Sequence, residues 1–445
     1  MLTSNPSSAI ENVATETWSE CLSHMDLTVQ RNMMQTCKFF REMCLPLVFK
    51  KECVLLHVDP CIPNQEQDLR ALMHSLALSK SSVHAPLVRK LTLSYNEDNF
   101  RAWEPTVADV KYLRSMFTNL CVKLFPRFTN LREVYIVSNR NIDKALLVAL
   151  AELPDLTELG MGSAKFGMLD LSNGTRIRVR KLGIFNNVSD YDSKKAATVL
   201  DVFSGERLED LTILSRVYSP KIMRSLTQQN NNALLKSIRL ELDPKELKTL
   251  VAFLVSSPNL ESLRVSLVKS SSRLRSSGVS VPEVLPRLPS SALPQLRSFS
   301  GVEELAKMIV PGRPVQHINV EARCRLWHSG KNNILDRRPE ELNMLLARLA
   351  ASIIPIKHLG LEDYVLENGL LDTIASHTPN ISSVLLNLKQ EIDMVGDSPD
   401  KGFISKDEVY FDDTIKHSQN LADQQSRFFL PSVQHLPYMV CILLP

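Results

Sequence analysis

LREVYI, at residues 131–136, sets the pattern that decides the fold of this chain, with aliphatic residues at its first, fourth and sixth positions. The same spacing returns as LTELGM at 156–161 and as VRKLGI at 179–184. Alternate side chains of an extended strand point to opposite faces, so the aliphatic residues are predicted to face a core and the residues between them to face away from it.

Twelve copies of this pattern, two of them imperfect, run through the chain. They begin at Val88, Leu131, Leu156, Val179, Leu208, Leu235, Leu260, Leu296, Val315, Ile356, Ile381 and Val433. Between Leu131 and Leu260 the starts lie 23 to 29 residues apart, the length of one strand and one helix. Helical stretches such as ELKTLVAFLV, at 246–255, precede several copies. The spacing predicts a repeat architecture of alternating strands and helices.

The repeats resemble leucine-rich repeats, and asparagines at 96, 139 and 187 stand where that family has its asparagine, although most copies lack it. The resemblance implies an irregular solenoid of class α/β, with parallel strands on a concave face and helices on a convex face. A generic α/β domain with aliphatic strands is the alternative.

The strand register places a row of polar side chains on the predicted concave face. Stacked repeats commonly use such a surface to bind proteins, where Tyr and Arg are favoured contacts. The predicted target-binding residues are Tyr135, Arg239, Arg264, His317 and His358. For the two histidines, solvated polar strand positions are the alternative interpretation. RIRVRK, at 176–181, places Arg176, Arg178 and Arg180 on one strand face, either to bind an anion or simply as an exposed strand.

A helical pattern covers the N-terminal stretch between Val13 and Phe49. Trp18, Leu22 and Met25 share one helix face, and Met33, Cys37, Phe40 and Cys44 repeat that spacing after a turn, with Pro46 predicted to stop the second helix. A segment of short helices with fewer than about 40 residues in total cannot bury a self-sufficient core. This segment must therefore pack on the rest of the chain or on another protein.

This stretch resembles the F-box, which docks onto the Skp adaptor of cullin–RING ubiquitin ligases. The match is carried by SH at 23–24, TCKFFR at 36–41 and LPLVF at 45–49, while Ala14 replaces the usual proline and Thr17 a usual aliphatic residue. The resemblance implies a three-helix module that binds the adaptor through Val13, Ala14, Trp18, Leu22, Met25, Leu27, Met33 and Cys37. Two alternatives stay open. The helices could simply cap the following domain, and Trp18 could belong only to the apolar stripe of its helix and not contact an adaptor.

These patterns divide the chain into six predicted parts. They are a flexible N-terminus (1–9), an F-box-like module (10–50), a linker strand and helix (51–86), the repeat array (87–386), a polar insertion (387–430) and a terminal strand or cap (431–445).

Composition argues against an enzyme. Glycine makes up only 14 of 445 residues, although sites that hold phosphates or dinucleotides need it for close backbone approach. No phosphate loop, nucleophile elbow or zinc-protease motif occurs, and the sequence predicts no cofactor and no metal. The net charge of +3 provides no broad basic field, so no nucleic acid is expected.

The sequence also predicts the compartment and the partners. Eight cysteines without a CxxC motif indicate free thiols in a reducing compartment. The N-terminus has no signal-peptide pattern and no run is long enough to span a bilayer, so we expect a cytoplasmic or nuclear protein without membrane contact. F-box and repeats together imply a substrate receptor of an Skp-cullin-F-box type E3 ubiquitin ligase that binds the Skp-type adaptor and a protein target. An interaction scaffold without ligase engagement is the alternative.

Overall fold

The computed structural model describes residues 13–57, 85–96, 115, 118–138, 142–163, 166, 176–185, 200–268, 288–321, 339–364, 369–388 and 439–443. Several predictions fall outside these ranges: the flexible N-terminus (1–9), the helix predicted within the linker at 69–80, Asn139 and Asn187, the repeat copy at Val433 and nearly all of the polar insertion.

Three short helices open the described part of the chain: α1 (Thr15–Ser23), α2 (Leu27–Thr36) and α3 (Lys38–Val48). Asp26 begins α2, because its carboxylate accepts a 2.8 Å hydrogen bond from the Val29 amide and so satisfies one of the free donors of the first turn. This agrees with the prediction of three N-terminal helices.

Two details of these helices differ from the sequence prediction. The stripe through Met33 and Phe40 is not continuous, because Cys37 is extended (φ −156°, ψ 168°) and separates α2 from α3. The prediction that Pro46 stops the helix is wrong, since α3 continues to Val48. A proline removes only its own donor, and the last turn is still closed by the Phe49 amide, which donates to the Leu45 carbonyl at 3.1 Å.

A large, mainly parallel sheet of 13 strands follows. Its strands in spatial order are β1 (Lys51–His57), β2 (Lys90–Asn96), β3 (Glu133–Ser138), β4 (Glu158–Gly162), β6 (Lys181–Phe185), β8 (Asp210–Leu214), β9 (Ser237–Leu242), β10 (Ser262–Leu267), β11 (Ser298–Val302), β12 (His317–Glu321), β13 (His358–Tyr364), β14 (Ser383–Leu388) and β15 (Met439–Leu443). Only β15 runs antiparallel to its neighbour. Two short strands, β5 (Ile177–Arg178) and β7 (Phe203–Ser204), pair with each other outside this sheet. The α/β class of the prediction is confirmed at this level.

Each of the eleven described repeat copies leads into a strand of this sheet, and consecutive copies occupy neighbouring strands. The strand predicted within the linker, at 52–58, corresponds to β1, which pairs with β2 at the edge of the same sheet. The order of the strands in space therefore follows their order along the chain.

Helices connect many of the strands and cover one face of the sheet. They are α4 (Lys144–Ala151), α5 (Ser219–Gln229), α6 (Leu247–Val255), α7 (Glu303–Ile309), α8 (Pro339–Leu349) and α9 (Leu370–His377), with a further helical turn at 118–124. Inward strand residues such as Leu240 and Val265 are fully buried in one cluster with helix residues such as Leu250. Each such side chain contributes about 1.5–3 kcal/mol by leaving water. The opposite side of the sheet, which we call the outward face, carries the residues between the aliphatic ones.

Candidate functional site

The N-terminal helices have a small core of their own. Leu22 and Cys44 are fully buried and Phe40 nearly so. The half-buried Trp18 ring packs edge-on against Phe40, with centroids 5.1 Å apart and an angle of 87°. Trp18 therefore fills the helix stripe and also presents part of its surface to solvent.

The predicted adaptor-binding residues differ in their exposure. Val13, Ala14, Met25 and Leu27 are exposed, and Trp18, Met33 and Cys37 are partly buried. Leu22 is completely buried, so in this conformation it supports the module from within. Val29, which was not among the predicted residues, is also exposed, two residues after Leu27 at the start of α2. Met25, Leu27 and Val29 are thus three exposed apolar residues at and just after the α1–α2 turn, which we call the exposed apolar group.

Strand pairing arranges the outward face in rows that cross the strands. The row nearest the strand starts, which we call the first row, contains Glu133, Glu158, Lys181, Asp210, Ser237, Ser262, Ser298, His317, His358 and Ser383. The next, which we call the middle row, contains Tyr135, Gly160, Gly183, Thr212, Arg239, Arg264, Ser300, Asn319 and Gly360. The five predicted target-binding residues thus lie on one face, in two adjacent rows.

Ion pairs dominate the early end of this face. Lys90 Nζ lies 3.3 Å from Glu133 Oε2 and 4.6 Å from the centre of the Tyr135 ring. The Tyr135 hydroxyl donates to Glu158, whose other oxygen lies 3.9 Å from Lys181 Nζ. Most of the charges at this end are therefore paired with one another.

Asp210 lies at the end of this charged group. Burial raises the pKa of its carboxyl, and the nearby Glu158 acts in the same direction, against the attraction of Lys181. The first row therefore contains a carboxylate that is costly to keep ionised.

Two glycines of the middle row leave room for aromatic rings, because they have no Cβ. A Cβ on Gly160 would collide with the Tyr135 ring, and one on Gly183 would lie only 2.7 Å from Phe185 Cε2. Phe185 is 42% exposed although it is a large apolar residue. Phe185 was not among the predicted residues, because it follows the aliphatic triplet and its ring position depends on a glycine two residues earlier.

Two arginines occupy directly paired positions on neighbouring strands, Arg239 on β9 and Arg264 on β10. Burial lowers the pKa of Arg239, and the like charge of Arg264 lowers it further. Arg264 lies 4.0 Å from Glu321, at the outer limit of an ion pair. Ser300 follows in the same row, and its buried Oγ has no hydrogen-bond partner in the described part of the chain.

The two predicted histidines are also in register. The His317 and His358 rings stack with centroids 4.5 Å apart and planes inclined by 12°, and His358 Nδ1 lies 2.5 Å from Ser383 Oγ. Within the described ranges, no group of three His, Cys, Asp or Glu side chains could hold a metal ion.

The arginines at 176, 178 and 180 do not form a free cationic face. Arg176 Nη2 lies 2.7 Å from Asp201 Oδ2, and Arg178 and Arg180 lie 3.3 and 3.9 Å from carboxylates of Glu206 and Glu209. Each arginine is therefore matched by an acid from the following segment.

A cleft of about 650 Å³ lies where several of the early strands begin. Its lining includes three arginines, Arg132, Arg180 and Arg207, with the acids Asp155 and Glu209 among them. The mixed charge of the lining does not select one class of ligand, whereas the middle row offers an exposed aromatic ring and two adjacent guanidinium groups on one surface.

None of the helices in the described ranges combines the length and apolar character needed to cross a bilayer. A comparison of the chain with models of known protein families gives no match, and a comparison with curated proteins gives none either.

Proposed function

We propose that this chain is the substrate-recognition subunit of an Skp-cullin-F-box type E3 ubiquitin ligase. In this proposal the N-terminal helices bind the adaptor, and the outward face, as the concave side of a leucine-rich-repeat solenoid, binds a target protein. The main support is that eleven repeat copies lie on consecutive strands of one sheet. The N-terminal helices, which precede this sheet in the chain, have a separate core. The chain would contribute no chemistry of its own and would act by holding the target near the charged ubiquitin.

The exposed apolar group at the α1–α2 turn supports adaptor docking. Leu27 is 45% exposed and Val29 38%, high values for two aliphatic residues in the first turn of one short helix. Met25 extends the same group. Burying these side chains against a partner would supply the apolar contact that the small core of the helices lacks.

The test is recovery of a purified Skp-type adaptor by the full-length chain. A Leu27→Asp/Val29→Asp variant should lower recovery by at least about tenfold, because two buried apolar contacts are replaced by charges. Asn32→Asp, an exposed position on the same helix, is the matched control and should leave recovery unchanged. Equal recovery with all three proteins would contradict adaptor docking at this turn. Leu22 is unsuitable for this test, because its loss would damage the core.

The alternative proposal is a repeat interaction scaffold that does not engage the ligase, favoured by Ala14 and Thr17. Ala14 precedes α1 with φ −56° and ψ 140°, backbone angles that proline adopts without strain. Under this alternative, wild-type protein recovers little adaptor and Ala14→Pro raises recovery. If recovery is low and Ala14→Pro leaves it unchanged, the missing proline does not explain the loss.

A further inference from the structure

The middle row joins an aromatic half to a cationic half on one accessible surface. We propose that it binds an extended segment of a partner protein that carries an oxyanion, a phosphate or carboxylate, three or four residues from a large apolar side chain. This inference rests on the proposed role of the outward face in target recognition and specifies which chemistry it recognises.

The cationic half is set up for an anion by the pairing of Arg239 with Arg264. Like charges at directly opposed positions of a sheet repel each other, and an oxyanion between them would remove that repulsion. Arginine presents a planar fork of donors that fits phosphate and carboxylate oxygens. Both side chains are exposed and thus available to a ligand.

The residues around the two arginines add hydroxyl groups. Thr212 precedes Arg239 in the row, and Ser300 follows Arg264. Among the residues that the structure describes, the buried Ser300 Oγ has no hydrogen-bond partner, so it retains an unused donor next to the pair. Glu241 and Glu321 flank the arginines and partly offset their charge. This balance favours a single oxyanion over a strongly acidic segment.

The apolar half is centred on Phe185, whose ring lies over Gly183 and therefore within the middle row. The half-buried Leu214 is paired with Phe185 on the neighbouring strand, and Val137, also half-buried, lies two strands away in the same row, across Gly162. An exposed aromatic ring that lies over a glycine provides a shallow site for one large apolar side chain of a ligand.

The strand spacing fixes the distance between the two halves. Gly183 lies on β6, two strands from Arg239 on β9 and three from Arg264 on β10. Neighbouring strands are about 4.8 Å apart, so the phenyl ring and the guanidinium pair are separated by roughly 10–14 Å. An extended peptide rises about 3.3 Å per residue, which gives a separation of three or four residues.

The experiment measures fluorescence anisotropy of labelled decapeptides with the purified full-length chain. Each peptide carries one phosphoserine and one leucine, separated by one to six positions in a Gly/Ser/Ala background, with matched peptides carrying glutamate or serine instead of phosphoserine. We expect phosphoserine to bind at least about tenfold more tightly than serine at separations of three or four. The glutamate series shows whether a carboxylate is an equal source of the oxyanion.

Substitutions test separately the residues of the cationic half and of the apolar half. Arg239→Gln/Arg264→Gln should abolish the preference for phosphoserine, whereas Arg348→Gln, an exposed arginine on α8, should leave it unchanged. Phe185→Ser should remove the dependence on leucine position but keep the phosphoserine preference. The proposal is overturned if wild-type protein binds serine peptides as well as both anionic series, if the separation has no effect, or if the double variant keeps the preference.

Adaptor recovery distinguishes this inference from the proposed function. A chain that recovers the adaptor but ignores all peptides would keep the receptor role and refute recognition by this row. A chain that binds the peptides as expected but recovers no adaptor would keep this site and refute the ligase role.

Discussion

The buried side-chain amide of Gln30 in α2 donates a 2.8 Å hydrogen bond to the main-chain carbonyl of Leu22 in α1. It donates a second, of 3.0 Å, to the Met25 carbonyl. A single polar side chain, only 7% exposed, thus satisfies carbonyls at the end of one helix and joins it to the next. The conformation of the α1–α2 turn, where Leu27 and Val29 are exposed, depends on this contact.

Replacing Gln30 by Met should therefore destabilise the turn. Methionine keeps the length of the side chain but removes both donors, so the Met25 carbonyl loses this hydrogen bond and the Leu22 carbonyl keeps only the Met25 amide, at 3.2 Å. The loss should cost about 1–3 kcal/mol. Hydrogen exchange should show faster exchange of the α1 and α2 amides, with little change in the sheet. Gln35→Met, at an exposed position of the same helix, is the control. Unchanged protection in Gln30→Met would show that the two bonds contribute little.

Gly160 is required by the ring of Tyr135, and Gly160→Ala should cost roughly 1–3 kcal/mol of stability as the added methyl displaces that ring. The cost should nearly vanish in a Tyr135→Ala background, since no ring is left to displace. A double-mutant cycle by chemical denaturation measures this coupling. Gly162→Ala is the control, because its Cβ would meet Val137 only at an ordinary 3.4 Å. Additive effects of Gly160→Ala and Tyr135→Ala would contradict the contact.

Arg313 holds the loop before β11 through main-chain carbonyls. It is 3% exposed, and its guanidinium donates to the carbonyls of Ala292, Ile309, Pro311 and Pro289 at 2.9, 2.7, 3.1 and 2.8 Å. Arg313→Met removes all four of these hydrogen bonds, although the Pro289 carbonyl keeps the Ala292 amide at 3.0 Å, and should cost roughly 3–5 kcal/mol, measured by chemical denaturation.

Arg313→Lys should recover only part of that loss, because one ammonium group cannot reach four carbonyls in a fixed fork. Arg297→Met, on a neighbouring connection, serves as the comparison and should cost much less. A loss in Arg313→Met as small as in Arg297→Met would show that the network does not hold the loop.

The ion pair of Asp201 and Arg176 should make the free energy of unfolding depend on pH in the acidic range. Burial works against ionisation of Asp201, but hydrogen bonds from Arg176, Ser225 and Gln229 outweigh it and keep the pKa of this carboxyl below its usual value. The unfolded chain thus binds its proton at a higher pH than the folded chain. The stabilisation is complete above the unfolded pKa, about 3.9, and is lost as the pH falls through the lower folded pKa.

Asp201→Asn should consequently be less stable than wild type at pH 7, with the difference shrinking as the pH falls below about 4. The difference should stay below about 1 kcal/mol, because both charged side chains are more than a third exposed. Thermal unfolding from pH 7 to pH 3 measures it, and Asp372→Asn, on the exposed side of α9, is the control. A constant difference over this range would exclude a role for the charge.

Much of the sheet could be predicted because its pattern is local. Val134 and Ile136 alternate with Glu133 and Tyr135 along β3. Because successive side chains of a strand point to opposite faces, burying the first pair places the second pair on the other face. The same argument placed Arg239, Arg264, His317 and His358 on one face. The break at Cys37 and the continuation of α3 past Pro46 could not be predicted, because each depends on how the helices close against one another.

By itself, the sequence determined which residues of each repeat face the core, since burial of aliphatic side chains at a fixed period admits one register. Its helical pattern also indicated that short helices precede the sheet, while their number, three, was implied only by the resemblance to the F-box. Only the tertiary structure decided which side chains meet across strands. Tyr135 lies on Gly160, and Arg239 stands beside Arg264, because parallel pairing joins segments more than twenty residues apart, whose alignment no local pattern specifies.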